Sequence, residues 1–368
     1  MSVVQRVVGA TALAFATNAA WASEPLLLMP LHNESVAASL ESDVNEPTLA
    51  PTATLDSAEY VDDSSDAWSD NCGDCYTSCV RCMPCQPLWV VRGGTAILHR
   101  STPDDITIAE PLGGLFQIST GSHFDLDYTA GADISLERRL GNSCNSIEVR
   151  YLGALDWDSQ VSYDLFGDIG LGASPMIGVD SLDARYSSSL DSTEINFRHQ
   201  YSDRFTWLAG FRWIELQEDL NFDVNFIIPS LVDFNWNVDN RMYGAQLGGD
   251  FQLWRLTGPL RVNSVMKAGV YANNADNDFT FSIVDIPIIS GGAGGNQTAF
   301  VGEITVNASY QLTQHIALRG GYQLLWIDGV ALATNQAAET LAQGDIDVID
   351  TDSDLFYHGA LAGVDFVW

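Results

Sequence analysis

The sequence predicts an all-β fold, a transmembrane antiparallel up-and-down β-barrel of about ten strands, and three observations predict it. The first is alternation. Phe124–Glu137 reads FDLDYTAGADISLE. Phe124, Leu126, Tyr128, Ala130, Ala132, Ile134 and Leu136 fall on one face, and Asp125, Asp127, Thr129, Asp133, Ser135 and Glu137 on the other. Side chains alternate faces along a strand, so this pattern is a strand with one apolar and one polar side. It is also far longer than the five or six residues usual in globular strands. The second observation is loop parity: the connections between such segments alternate between short turns and long excursions, as in outer-membrane barrels. The third is aromatic placement. Trp157, Trp213, Trp254 and Trp326 fall near predicted strand ends, where an aromatic girdle meets headgroups.

The elements follow in order. Residues 1–22 read as a secretory signal: Arg6 precedes the apolar run VVGATALAFATNAAWA, and Ala20-Trp21-Ala22 offers small residues for cleavage. Residues 23–71 are acidic, with Ser, Ala, Pro and Thr filling most of the rest and no Lys or Arg. Such a stretch buries too little apolar surface to offset its ordering entropy, which predicts a flexible leader. Residues 72–86 form a cysteine-rich segment, and 87–368 the barrel.

Within the barrel the strand candidates are 88–99, 124–138, 145–157, 191–199, 204–215, 241–254, 260–272, 299–311, 315–327 and 355–368. Gly141-Asn142, Ser202-Asp203, Thr257-Gly258-Pro259 and Thr313-Gln314 make the short turns, all rich in turn formers. The parity places both termini in the periplasm. Two long connections alternate further, through Leu220, Phe222, Val224 and Phe226 opposite Phe234, Trp236 and Val238, and through Phe279, Phe281 and Ile283. These read as hairpin extensions above the membrane; if they span it, the barrel has twelve or fourteen strands. Gly291-Gly292-Ala293-Gly294-Gly295 reads as a flexible loop. The last segment, LFYHGALAGVDFVW, sets Phe366 and Trp368 on an apolar face, resembling the C-terminal signal read by the barrel assembly machinery.

Composition narrows the partners. The formal charge is −32, which repels nucleic acid and anionic headgroups alike. No internal stretch is long and apolar enough for a transmembrane helix. Expected partners are outer-membrane lipid, the assembly machinery, and small solutes or cations.

Three stretches, NRMYGAQLGGDFQLW at Asn240–Trp254, KAGVYANNA at Lys267–Ala275 and LRGGYQLLWIDGVALATNQ at Leu318–Gln336, resemble the porin-like outer-membrane β-barrel proteins of planctomycete bacteria. The resemblance covers the C-terminal third to half of the chain. It implies a barrel and an outer-membrane address, and no defined substrate.

Candidate chemistry is sparse. Cys72, Cys75, Cys79, Cys82 and Cys85 form a block, with Cys144 in the turn after the second strand. The spacing between C-x2-C pairs is too tight for ordinary zinc sites, and an oxidising compartment favours disulfides. The expectation is one bridge from the block to Cys144 and two within it. Asp125, Asp127, Asp133, Glu137, Glu148, Arg150, Glu194, Arg198, Arg212, Asp250, Arg261, Lys267, Glu303, Arg319 and Asp365 take the inward parity and are the predicted lumen lining. Opposite charges in so narrow a space would pair, because a lone buried charge is costly. The expected function is porin-like passive passage of small solutes or ions, through a small cation-preferring lumen lined by excess carboxylates; the alternative is a structural, surface-interacting barrel whose closed, ion-paired core is not a channel. His99 and His123 flank the first long connection and His358 enters the last strand. They match no catalytic pattern, and neither a nucleophile motif nor a calcium loop is present, so no enzymatic activity, metal or cofactor is expected.

Overall fold

The computed structural model describes residues 88–368, apart from 104–106, 112–117, 120–123, 142–143, 172–173, 228–230, 256–257 and 345. In chain order the elements are β1 (Trp89–Arg100), β2 (Thr107–Pro111), β3 (Ile118–Ser119), β4 (Thr129–Arg139), β5 (Asn145–Leu171), β6 (Ser174–Ser202), β7 (Phe205–Phe226), β8 (Leu231–Arg255), β9 (Leu260–Ile283), β10 (Ile286–Gln311), β11 (Ile316–Val330), helix α1 (Ala333–Gln343) and β12 (Ser353–Val367). Among the described residues, ten of these strands pair antiparallel with their chain neighbours, and β1 pairs with both β4 and β12. The ring is therefore closed at the turn end, whereas beyond Gly153 on β5 and before Phe300 on β10 the longer strands continue without β4 or β11 beside them. β2 and β3 are short additions against the end of β5.

All ten expected strands are present, and the expected hairpin extensions are continuations of the same strands rather than further crossings. β5 to β10 run 27, 29, 22, 25, 24 and 26 residues, against 12, 11, 15 and 15 for β1, β4, β11 and β12. A tilted strand crosses a bilayer in about 9–11 residues, so the longer six rise well beyond it. The molecule thus has a turn end, where the short connections lie, and a hairpin end.

β7 shows how the two halves differ. From Phe205 to Trp213 its odd-numbered side chains are apolar and face outward, while Arg212 points in. Beyond Trp213 the odd positions become Glu215, Gln217, Asp219, Asn221 and Asp223, and the buried even positions become Leu216, Leu220, Phe222 and Val224. The pairing with β8 runs unbroken from Phe205↔Phe251 to Asn225↔Leu231, so facing is constant and only the chemistry exchanges. β8 exchanges at Tyr243 and Arg241, and β9 at Ala272 and Asn274. An outside that changes from aromatic and aliphatic to carboxylate and amide marks the edge of the hydrocarbon layer. In β5 a bulge accompanies the exchange. The register shifts between Leu152 and Leu155, with Ala154 at φ 53° and its N–H donated to Asp191 Oδ1 at 3.0 Å.

Inside the hairpin half lies an apolar core that includes Trp236, Phe222, Tyr186, Leu155, Leu182, Leu325 and Leu355. Each such side chain contributes about 1.5–3 kcal/mol by leaving water. Helix α1 completes the core with Ala333 and Ala337. The sequence reading placed this helix in a long loop. It ends at Gly344, whose φ of 70° is the left-handed cap glycine supplies, with its N–H on Thr340 O at 2.8 Å. At the other end the N–H of Ala333 is satisfied by Glu218 Oε2 on β7 at 2.9 Å, so the cap comes from the barrel wall.

Gly291–Gly295 also differs from expectation. It is strand, with Gly291 opposite Phe279 and Gly295 opposite Ala275. A Cβ on Gly291 would stand 2.6 Å from Ile346 Cδ1, so the missing side chains let the segment after α1 lie against β10.

Candidate functional site: the lumen

Beneath the apolar core the interior changes to charge. Arg150 on β5 donates to Asp133 Oδ1 on β4 at 2.8 Å, and its Nη1 reaches Glu303 Oε1 on β10 at 2.6 Å. In a ring of ten, β5 and β10 stand opposite one another, so this ion pair spans the lumen. Arg212 on β7 meets the other oxygen of Glu303 at 2.7 Å. Lys267 on β9 lies 2.6 Å from Glu194 on β6 and 3.3 Å from Glu303. Arg319 on β11 bridges Asp133 and Asp365 at 3.2 Å each. Nearer the turn end, Arg198 joins Glu148 at 2.7 Å and Asp250 at 2.6 Å. Gln323 accepts from Arg150 at 3.1 Å, and Gln246 donates to Glu194 and Asn196. Charges this buried are tolerable because the deepest carboxylates, Asp133, Glu194 and Glu303, each meet two or more cationic donors.

Twelve of the predicted lining residues are brought together here: Asp133, Glu137, Glu148, Arg150, Glu194, Arg198, Arg212, Asp250, Lys267, Glu303, Arg319 and Asp365. Arg261 sits lower, exposed at the turn-end mouth. Asp125 and Asp127 do not reach the lumen. They precede β4 and are exposed, while Phe124 and Leu126, expected on the lipid side, are buried, with the Phe124 ring 5.5 Å from Tyr186. The alternation is real, but the chain here lies in the hairpin half, where apolar side chains go inward.

Sequence reasoning missed Arg92, which pairs with Glu137 at 2.9 Å and Glu148 at 3.3 Å. Its surroundings, WVVRGG, alternate too weakly to show a face. It also missed the fully buried pair of Arg100 and Glu218 among the core aromatics, with Arg100 donating to Tyr186 at 2.8 Å. The charge balance differs from expectation as well. The ion-pair layer sets seven carboxylates against the cations Arg92, Arg150, Arg198, Arg212, Lys267 and Arg319, so no large acidic excess lines the interior.

The acidic groups instead cover the outside of the hairpin half. Asp183, Asp223 and Asp233 stand in register across β6, β7 and β8. Partial burial, then the facing carboxylate of Asp233, push Asp223 up to about 6. His99 and His358 also face outward. Their rings stack at 5.2 Å, and His358 Nδ1 shares a 2.7 Å hydrogen bond with the Tyr322 hydroxyl. His123 lies outside the described residues, as do Cys72, Cys75, Cys79, Cys82 and Cys85, so the expected disulfides fall there too. Cys144 borders the turn-end mouth.

A funnel opens at that mouth. A cavity of about 340 Å³ leads to one of about 160 Å³, and Arg92, Arg198, Asp250, Asn263, Ser309 and Asp365 border both. The ion-pair layer at Arg150, Lys267 and Glu303 borders the inner cavity.

No protein-family model matches the chain, and no curated protein matches it. The planctomycete resemblance therefore stays an expectation. Solved structures with a similar arrangement are outer-membrane barrels. They include the protease OmpT of Escherichia coli (10% identity, 76% of this chain and 96% of that one, TM-score 0.35). The translocator domain of the autotransporter NalP of Neisseria meningitidis is similar too (10%, 77% and 89%, TM-score 0.38). So is the toluene transporter TodX of Pseudomonas putida (10%, 78% and 91%, TM-score 0.30). Likenesses this distant carry no argument about activity.

Proposed function

We propose that the chain is an outer-membrane barrel with a shut lumen, an anchor that holds an acidic, hairpin-built crown outside the cell rather than an open pore. The observation that carries this reading is the Arg150–Glu303 ion pair across the full width of the ring. It is reinforced by Lys267–Glu194 and Arg212–Glu303, and above them by the apolar core with α1 set into it. A solute crossing passively would have to separate buried ion pairs and then traverse packed aromatics, each step unfavourable by several kcal/mol. The greasy outer belt, the short turns and the outward-facing Phe366 and Trp368 support an outer-membrane address, assembly through that terminal signal, and turns and termini on the periplasmic side. The crown would then offer carboxylates and amides to cations or basic surfaces.

Porin-like passage is the second reading, favoured by the funnel that enters from the turn end. Planar-bilayer recordings of the refolded chain separate the two. Heat-modifiable barrel migration on gels without stable conductance steps is expected. Regular, long-lived steps in the wild-type protein would overturn the closed reading and establish passage.

A further inference from the structure

On the outer face of β1 and β12, His99 and His358 stand directly opposite one another, and their rings stack with centroids 5.2 Å apart. They lie at the upper edge of the belt: Ile97 and Ala360 face lipid below them, and Phe356 and then Asp354 take the same face above. Ionisable side chains at membrane depth are costly and almost always turn to the interior of the protein, so two imidazoles on the lipid side call for a role. Tyr128 and Tyr322 complete the cluster. The Tyr128 ring is 5.3 Å from that of His99, and the Tyr322 hydroxyl is 2.7 Å from His358 Nδ1. With that nitrogen donating to Tyr322, the ring is oriented and Nε2 carries the free lone pair, the state in which a histidine ligates a metal. Nδ1 of His99 is buried and has no hydrogen-bond partner among the described residues, so a second ring nitrogen is unspent. Two nitrogens that share an ion at about 2.0–2.1 Å lie within about 4.2 Å of each other, which a turn of either ring achieves at this spacing. Just above, Asp328 and Asp354 face each other across β11 and β12, and their charge draws cations toward the pair. No group of three or more His, Cys, Asp or Glu side chains fit for a metal occurs among the described residues, so the site has two protein ligands and leaves its other positions to water.

We propose that His99 and His358 form a binding site for a late first-row divalent ion, copper(II) most tightly, held outside the barrel at the lipid boundary, with Tyr322 as a positioning residue. Neutral imidazole suits copper, nickel and zinc, and affinity at a given nitrogen site peaks at copper. The carboxylates of the crown are hard ligands that suit magnesium and calcium, so the two kinds of cation separate on one surface. The site goes beyond the anchoring role and does not depend on whether the lumen is shut.

Copper(II) titration of the full chain in detergent micelles tests it, followed by electron paramagnetic resonance in excess magnesium chloride, which occupies the carboxylates. The parent should take up one more copper ion per barrel than a double variant carrying His99→Phe and His358→Phe, with splitting from two nitrogens. Phenylalanine keeps the ring stack and suits the belt, so heat-modifiable migration should not change. Either single variant should weaken the site tenfold or more, because one imidazole alone remains. Tyr322→Phe, which frees the His358 ring, should weaken it severalfold and keep the two-nitrogen spectrum. Equal uptake and equal spectra in the parent and the double variant, or in the parent and both single variants, overturn the proposal. So does a difference that disappears when magnesium is added.

Discussion

The two halves of this barrel are built from the same strands with opposite solvents. In the turn half, Phe211, Leu247 and Val270 face outward and Arg150, Glu194 and Glu303 face in. In the hairpin half, a few residues along the same strands, Asp219, Asn237 and Asp278 face outward and Leu220, Trp236 and Phe279 face in. The first arrangement is stable only if hydrocarbon surrounds it, because its apolar side chains have no partner within the protein. The second is stable only in water, with its core made in the manner of a soluble barrel. The pairings among β5 to β10 continue through both halves, while β4 and β11 flank β5 and β10 only in the turn half. The comparison teaches that secondary structure is indifferent to the medium here, and that side-chain polarity alone sets where the membrane stops.

The largest expected effect comes from opening the charged layer. Glu303→Ala strands Arg150, Arg212 and Lys267 beside a missing carboxylate, and breaking such a buried network costs about 3–5 kcal/mol. The turn half should therefore lose its resistance to heat, read by gel migration, while tryptophan fluorescence of the Trp236 core changes later. If both halves melt together, they are one cooperative unit and the comparison is merely chemical.

A smaller effect comes from placing one cation outside each half. Leu247→Arg sits where the side chain is 69% exposed to the belt, and should cost about 2–4 kcal/mol near the bilayer midplane. Asn237→Arg, exposed on β8 above the belt, should stay within about 0.5 kcal/mol. Unfolding in lipid vesicles measures both. Equal penalties would move the membrane edge beyond Trp213 and Tyr243.

The smallest effect is a pH response confined to the crown. Asp223 has its folded value raised to about 6, above that of an unfolded aspartate. The folded hairpin therefore favours the protonated carboxyl, so its contribution is fully present below about pH 4 and is lost as pH rises through about 6. Asp233 and Asp183 face it and oppose ionisation, whereas Arg185 works the other way. Protection of the amides in β7 and β8 above Trp213, taken relative to their intrinsic exchange rates at each pH, should be greater at pH 5 than at pH 7. Asp223→Asn should remove that difference, and protection below Trp213 should not respond.

Much of this contrast was legible in the residues. Period-two alternation and loop parity located every strand of the ring, and opposite charges of common parity located most of the ion-pair layer. The apolar sets at Leu220–Phe226 and Phe234–Val238 were visible as strand extensions, yet their facing was not, because alternation reports two faces and never says which is wet. The same ambiguity misplaced Asp125 and Asp127. Helix α1 was illegible for another reason. ATNQAAETLAQ carries no apolar stripe, and its N-terminal cap is Glu218, 115 positions away. A helix set into a core by small side chains and a distant carboxylate leaves little local signature. Arg92 escaped notice beside glycines, where parity has nothing to alternate against.

The seam between β1 and β12 has a kinetic consequence. Trp89 and Trp368 exchange backbone hydrogen bonds, and Ser101 meets Phe356 across 255 positions of chain. Contacts of such sequence separation form slowly, since the entropy of closing the intervening loop must be overcome before they reward it. Every other wall pairs neighbours in the chain and can zip from hairpins as they emerge. Ring closure is thus the late event of assembly, and until it happens two strand edges lie unpaired. The time a nascent sheet spends in that state, rather than the strength of any finished contact, sets its exposure to aggregation.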